Sequence, residues 1–364
     1  MKRTVAVIFG GVSNENEISI ITGTMAANVL KSGGEQVVPL YLSQKGELFT
    51  GEELFDINNF KGGGCEKTKA SVTDGGVFEL NKRGKIKRYI KVDVALNCCH
   101  GGMGEGGGVC GLFALCGIPL ASAGMFESAA FMDKYFTKLV LNSLGVQVAP
   151  YVYFRNYNDA LCAEELGYPV IVKPAKLGSS IGIAKAGDRD ELLAAAEAAF
   201  FYDDGVLVEK YFSDRREINC AAYLSGGKVI TSECEEAITK GDILSYDDKY
   251  AGGGKSQLPA DIPAEISDKI RGITADVYSR LNMRGIVRFD YILCGEEVYL
   301  SEINTVPGSL SYYLLSNGFK NFYPVLQAVI VQALDDWQRA ADKKVLSTGI
   351  LNALPSNAAK IGRK

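Results

Sequence analysis

The sequence predicts an α/β fold that passes into α+β, beginning with an open parallel α/β unit. Three observations carry this. Residues 4–9 (TVAVIF) are a β-branched run ending in Gly10-Gly11, residues 17–31 place apolar side chains near helical spacing, and residues 35–42 return to strand. Residues 92–99 (VDVALNCC) are a further buried strand entering a Gly-rich loop. Strand, helix, strand, then strand and loop is the order of an open α/β sheet, whereas beyond residue 128 strands and helices fall into separate groups.

The elements follow in order. Residues 43–90 are less regular, carry Gly62-Gly63-Gly64, and read as an excursion with a hairpin at 77–91. A second unit opens near residue 128. Residues 129–145 read as one helix stopped by Gly145, followed by a strand at 146–154, a helix near 157–166 and a strand at 169–175. The acidic start and Ala-rich body of 187–200 predict a helix, and 205–212, 216–224 and 228–236 predict strands. The third unit spans roughly 215–345. It holds a helix over 263–283 opened by Pro263, a hairpin of 286–293 and 297–304 across Cys294-Gly295-Glu296, and a long apolar-faced helix at 321–342. The small, polar, basic tail from 346 is expected to fray.

Composition excludes several function classes. The chain has 364 residues, 47% hydrophobic and 23% charged, too many for one ordinary core and suited to two or three domains. A net charge of −4 offers no basic field for nucleic acid. No apolar run reaches the roughly 18 residues that span a bilayer, so no membrane association is expected. Residues 1–10 read as a first strand, not a signal peptide. Nine cysteines, an odd count without a CxxC pair, suggest neither a disulfide framework nor a zinc site and fit a reducing cytoplasm. His100 is the single histidine, so a two-histidine mechanism is impossible.

Two segments mimic phosphate loops. Gly102-Met103-Gly104-Glu105-Gly106-Gly107 satisfies GxGxxG after a strand. Its Glu105 would sit where pyrophosphate docks, and no ribose-binding acid ends a second strand. Gly254-Lys255-Ser256 resembles the end of a P-loop, yet Lys249 stands where the motif needs its first glycine and Pro259 disrupts the helix that must follow.

Chemistry concentrates elsewhere. Residues 170–183 (VIVKPAKLGSSIGI) place Lys173 at a strand end before a small-residue loop bearing Ser179 and Ser180, which can drape N–H groups over phosphates. Taken alone, the segment also reads as a hairpin with a flexible turn. Residues 206–217 offer a strand edge with Glu209, which alone also reads as a solvated Glu-Lys pair. In the hairpin at 286–304, Arg288 and Asp290 share one face, as do Glu302 and Asn304. If the strands pair, the four residues meet. Two carboxylates and an amide oxygen suit Mg²⁺, which also needs substrate phosphates. The competing reading is a wet sheet face with an Arg–Glu pair.

The order GGVSNENEIS, HGGMGEGGG, FMDK, VKPAKLGSSIG, VEKYF, DDKY, VRFDYI and SEINTVPG resembles the D-alanine–D-alanine ligase family over nearly the whole chain. The resemblance implies a three-domain ATP-grasp architecture, divided at 1–127, 128–214 and 215–345 with a flexible tail at 346–364. It implies ATP and Mg²⁺ (or Mn²⁺), small D-amino acid substrates, a homodimer and a cytoplasmic location. Carried over residue by residue, it implies that Lys134 and Lys173 meet the nucleotide phosphates and that Ser179 and Ser180 lie in the covering loop. Glu209 would meet the adenine amino group, with the backbone of Lys210 and Tyr211 nearby, and Glu217 would bind ribose. Asp290, Glu302 and Asn304 would hold metal, and Lys249 would bind the transferred phosphate. Glu15 would pair with the first substrate's ammonium group, near His100. Arg288 and the Gly308 N–H would stabilise the oxyanion. Glu15, Tyr250 and Ser179 match the family's lid-closing trio, and Lys249-Tyr250 favours an amino acid over a hydroxy acid as second substrate.

The chain departs from the family pattern at Gly106, where an acid is usual, and at Cys110 and Ala114, where Gln and Glu are usual. Tyr313 aligns with the serine that binds the second carboxylate, so Tyr313 is expected to reach the site while Tyr312 packs or covers it.

Overall fold

The computed structural model describes residues 2–62, 65–238, 255–343 and 348–350. The apolar N-terminal run forms β1 (Thr4–Gly10), followed by α1 (Asn16–Ser32) and β2 (Gln36–Leu42). β1 and β2 pair in parallel, from Thr4 opposite Gln36 to Gly10 opposite Leu42. α1 lies unusually close to the sheet: a Cβ on Gly23 would come within 2.1 Å of the Phe9 ring.

The segment read as less regular adds four strands, two of which are the hairpin expected at 77–91. β3 (Leu48–Thr50), β4 (Thr68–Thr73), β5 (Gly76–Leu80) and β6 (Ile86–Lys91) form an antiparallel meander. With β7 (Val94–Asn97) and β8 (Leu120–Ala121) they complete an eight-stranded sheet of order β6-β5-β4-β3-β2-β1-β7-β8. β4 is polar and mostly half-buried and β6 is polar and mostly exposed, and neither shows a clean apolar alternation.

The loop after β7 leads into α2 (Gly102–Glu105) and α3 (Gly108–Leu115). Two helices, α4 (Met125–Phe131) and α5 (Lys134–Ser143), replace the single one expected. Asp133 separates them: its backbone is extended, and its carboxylate accepts the Tyr135 and Phe136 N–H groups as an N-cap. The second sheet is antiparallel, of order β11-β10-β12-β9, from β9 (Tyr151–Phe154), β10 (Val170–Pro174), β11 (Ala184–Ala186) and β12 (Val206–Lys210). α6 (Arg189–Phe200) packs on it, capped by Asp188, and residues 157–166 form a 3₁₀ helix.

The third sheet contains β13 (Arg215–Ser225), β14 (Lys228–Thr231), β15 (Glu235–Ile238), β16 (Lys255–Gln257), β17 (Val287–Cys294) and β18 (Glu297–Asn304). Its order is β16-β15-β13-β17-β18, with β14 beside β13. Lys255 and Ser256 are exposed strand residues, not the start of a helix, which disposes of the P-loop likeness. α7 (Ala264–Arg280) takes Pro263 as its N-cap. After β18 come the short α8 (Tyr312–Leu315) and α9 (Tyr323–Ala341). α9 returns to the first sheet, and its Val325, Leu326, Val329 and Ile330 share a core with Val5, Val7 and Leu96. No helix among the described residues is long and apolar enough to cross a membrane.

Candidate active site

A cavity of about 550 Å³ is lined by the second and third sheets, by the start of α1, and by the loop after β7 with α2. The structure gathers Glu15, His100, Lys134, Lys173, Ser179, Ser180, Glu209, Lys210, Glu217, Arg288, Asp290, Glu302, Asn304, Gly308 and Tyr313 around it. Tyr211 does not line it: its ring lies beneath the Lys185 and Arg215 cations, and its N–H donates to the Pro169 carbonyl. Lys249 and Tyr250 lie outside the described residues.

The hairpin supplies the best-defined group. Register places Arg288 opposite Asn304 and Asp290 opposite Glu302, so period-2 alternation brings all four to one face. The Arg288 guanidinium grips Asp290 bidentately, Nε to Oδ1 at 2.7 Å and Nη2 to Oδ2 at 2.9 Å. Asn304 Nδ2 donates to the same Oδ2 at 2.9 Å. Lys134 Nζ lies 3.6 Å from Glu302 and donates to the Leu177 carbonyl at 2.7 Å. Among the described residues, no three His, Cys, Asp or Glu side chains gather closely enough to hold a metal unaided. Two carboxylates with one amide oxygen therefore fit an ion that takes its remaining ligands from phosphates and water.

The row continues across the sheet, with Asn219 on β13 opposite both Asp290 and Glu235. Asn219 Nδ2 donates to Glu235 Oε2 at 3.2 Å. Asn219 and Glu235 also line the cavity and were not singled out from the sequence, although CEE in a strand carries the same period-2 signal.

On the second sheet, the buried Glu209 carboxylate pairs with Lys173 Nζ at 2.6 Å and with Lys138 Nζ. Burial alone would raise the Glu209 pKa, but the two ammonium groups reverse this and hold it at about 2. Burial pulls the Lys138 pKa down, while Lys173 ends above its ordinary value because Glu209 and Glu302 outweigh burial. Lys138 was missed in the sequence. Its signal was the spacing of four from Lys134, which puts both lysines on one face of α5.

A pH dependence follows. The folded pKa of Glu209 lies below its unfolded value near 4.5, so its stabilisation is fully present above pH 4.5 and is lost as pH falls towards 2. Urea unfolding should show stability declining through this window, with a shallower decline in Glu209→Gln. Identical slopes in the two proteins would remove Glu209 as a source.

At the N-terminus of α1, Glu15 sits between two glycines. A Cβ on Gly101 would lie 2.7 Å from its carboxylate and one on Gly178 3.0 Å away. Ser179 donates a short hydrogen bond to Glu15 and adopts a left-handed backbone with φ 54°. Tyr313 Oη lies 3.5 Å from Arg288 Nη1, whereas Tyr312 packs on Phe322. Gly106 stands where a Cβ would come 2.9 Å from the Gly102 carbonyl, so a larger residue requires that loop to shift.

His100, expected near the first substrate, lines the cavity while both of its ring nitrogens bond to protein. Nδ1 donates to the Val306 carbonyl at 2.7 Å, and Nε2 meets Thr22 Oγ1 at 2.7 Å, so both polar ring atoms face protein. Burial lowers its pKa to about 4, making it neutral at pH 7. Glu105, noted in the sequence only as an objection to pyrophosphate, is buried at the cavity wall, where burial pushes its pKa up to about 7.

Two family models match the chain: "D-ala D-ala ligase N-terminus" over residues 4–123 and "D-ala D-ala ligase C-terminus" over 140–331. The D-alanine–D-alanine ligase of Thermosipho africanus is 36% identical over 356 residues, covering 93% of this chain and 95% of its own. That of Thermosipho melanesiensis is 35% identical over 353 residues, covering 94% and 96%. Among solved structures, the D-alanine–D-alanine ligase of Helicobacter pylori superposes with a TM-score of 0.73 at 28% identity, covering 90% of this chain and 98% of its own. The VanG D-Ala:D-Ser ligase of Enterococcus faecalis gives 0.77 at 28%, covering 92% and 100%. With both halves matched and relatives this similar along most of its length, the chain belongs to the D-alanine–D-alanine ligase family.

Proposed function

We propose that this protein joins two D-alanines in an ATP-dependent ligation that supplies dipeptide for peptidoglycan precursors. The observation that carries the reading is one cavity holding cations for phosphates, hard oxygen ligands, an oxyanion arginine and a carboxylate for a substrate ammonium group. A nucleotide-binding protein without catalysis has no use for the last two.

A carboxylate is a poor electrophile, and ATP with Mg²⁺ supplies the phosphoryl group that turns it into an acyl phosphate open to an amine. Asp290, Glu302 and Asn304 would hold the metal, with Lys134 and Lys173 against the phosphates and Ser179 and Ser180 covering them. Lys249 would meet the transferred phosphate. Glu209 and the backbone at Lys210 would face the adenine and Glu217 the ribose. Glu15 binds the first D-alanine by its ammonium group. Arg288 and the Gly308 N–H face the oxygen on which charge grows, where losing one donor typically costs about 2.7–4 kcal/mol of barrier. Glu15, Ser179 and Tyr250 close the site against water, protecting the activated carboxylate. The unpaired state of all nine cysteines supports a cytoplasmic enzyme. It would act as a homodimer on small D-amino acids.

The test is phosphate release from ATP and Mg²⁺ across a panel of D-amino and D-hydroxy acids. D-alanine alone should support release and dipeptide formation. Release with no D-amino acid of the panel would refute the reading.

The second-substrate side depends on Tyr313. A phenol near Arg288 fills space that a serine would leave open and should favour D-Ala or D-Ser over larger D-amino acids. Pocket selectivity of this kind is worth about 1–3 kcal/mol per methylene. Tyr313→Ser should therefore broaden the choice of second substrate and leave the first unchanged. An unchanged profile would mean that another residue sets the choice.

A further inference from the structure

We infer that Glu105 and His100 are positioning residues that clamp the Val306 peptide from the first sheet's side and thereby set the Gly308 N–H for the reaction. The inference rests on the ligase reading above. Its starting point is a strained segment: Ser309, Leu310 and Ser311 have φ of 52°, 48° and 49°. Three successive left-handed residues bearing Cβ atoms are disfavoured and persist only where the surroundings impose them.

The surroundings are explicit. The Val306 N–H donates to Glu105 Oε1 at 3.3 Å, and the Val306 carbonyl accepts from His100 Nδ1 at 2.7 Å. Both polar groups of one residue are thus taken by side chains some two hundred positions away. With Nδ1 carrying the proton of a neutral ring, Nε2 must accept from Thr22 Oγ1. That hydroxyl in turn accepts the Ser309 N–H at 2.9 Å. A continuous chain therefore runs from Ser309 through Thr22 and His100 to Val306. Glu105 closes the other side and also accepts the Gly101 N–H at 2.9 Å. Gly308 lies between the two clamped points, so its N–H has little freedom.

The same contacts account for the glycine pattern that imitates a dinucleotide loop. Gly104 packs where a Cβ would lie 2.5 Å from Cys99 Cβ, and Gly102 where one would lie 2.8 Å from the Val12 carbonyl. The glycines let the turn approach closely enough for Glu105 to reach Val306. The acid that spoils a phosphate site is here the working part.

The experiment uses the full chain with Glu105→Gln and, separately, the near-isosteric Thr22→Val. Amide hydrogen exchange across residues 304–313 should accelerate tenfold or more in each variant, without substrates present. With D-alanine, ATP and Mg²⁺, kcat should fall tenfold or more while the KM for ATP stays within twofold, because the nucleotide groups Lys173 and Glu209 lie on another sheet. Unchanged exchange overturns the clamp, as does kcat within twofold of the parent. So does a fall in kcat matched by an equal rise in the ATP KM, the pattern of general damage. Should Glu105→Gln not fold, Thr22→Val decides alone. Exchange is read without turnover, so it still judges the clamp if the parent proves inactive, an outcome that would refute the ligase reading by itself.

Discussion

Asp290→Asn is expected to lose ATP turnover by about 100-fold or more while leaving the fold in place. The carboxylate would be a metal ligand, and it is also the partner that aligns the Arg288 guanidinium. An amide at this position is a weaker ligand and leaves the arginine without its bidentate anchor. The fold should survive because β17 alternates: Phe289 and Tyr291 point into the core, whereas Asp290 faces the cavity. Glu302→Gln, on the opposing strand, should behave alike. Phosphate release at saturating Mg²⁺, with the thermal midpoint as control, checks both. Near-normal release from either variant would mean that the metal binds elsewhere.

Lys138→Met is expected to destabilise the protein by about 3–5 kcal/mol, the usual cost of stranding one member of a buried ion pair. Lys138 is fully buried against Glu209, and its removal leaves that carboxylate with Lys173 alone. Lys173 would then be drawn towards charge balance with Glu209 and away from any phosphate. Urea unfolding measures the first effect and the KM for ATP the second. The double variant Lys138→Met with Glu209→Gln should recover part of the stability, since no carboxylate is then stranded. Equal stability of parent and single variant would show that the pair contributes nothing.

The legible parts of this site are those encoded by short-range periodicity. Arg288 with Asp290, and Glu302 with Asn304, could be read as same-face pairs because the side-chain period is two, whereas a β-bulge beyond Asp290 sets the two pairs opposite each other: the turn alone would place Asp290 against Ser301. Lys173 and Glu209 followed as strand-end residues, and their strands pair directly. What escaped depends on distance or context. Glu105 and Val306 are 201 residues apart, and nothing in either segment announces the other. Ser309, Leu310 and Ser311 have ordinary preferences, so their left-handed turn cannot be read from residue type. β3 and β4 escaped because they are short and carry no apolar alternation, although the hairpin expected at 77–91 is β5 and β6, and the break at Asp133 escaped because an N-cap inside an apolar run looks like one polar position of a longer helix.

The ion pairs lining the cavity have a consequence for how ligands enter. Lys134 faces Glu302, Lys173 faces Glu209, Arg215 faces Glu217 and Arg288 grips Asp290. Before any ligand arrives, each of these cations is already answered by a carboxylate. Admission of an anion is thus an exchange of partners, not the filling of a bare positive well. Such an exchange draws on no large uncompensated field. Its affinity should vary less with ionic strength than that of an open cluster of lysines, whose attraction added salt erodes directly. The cavity trades long-range pull for a short-range choice: an anion gains entry when a cation arrives with it to take over the carboxylates left behind.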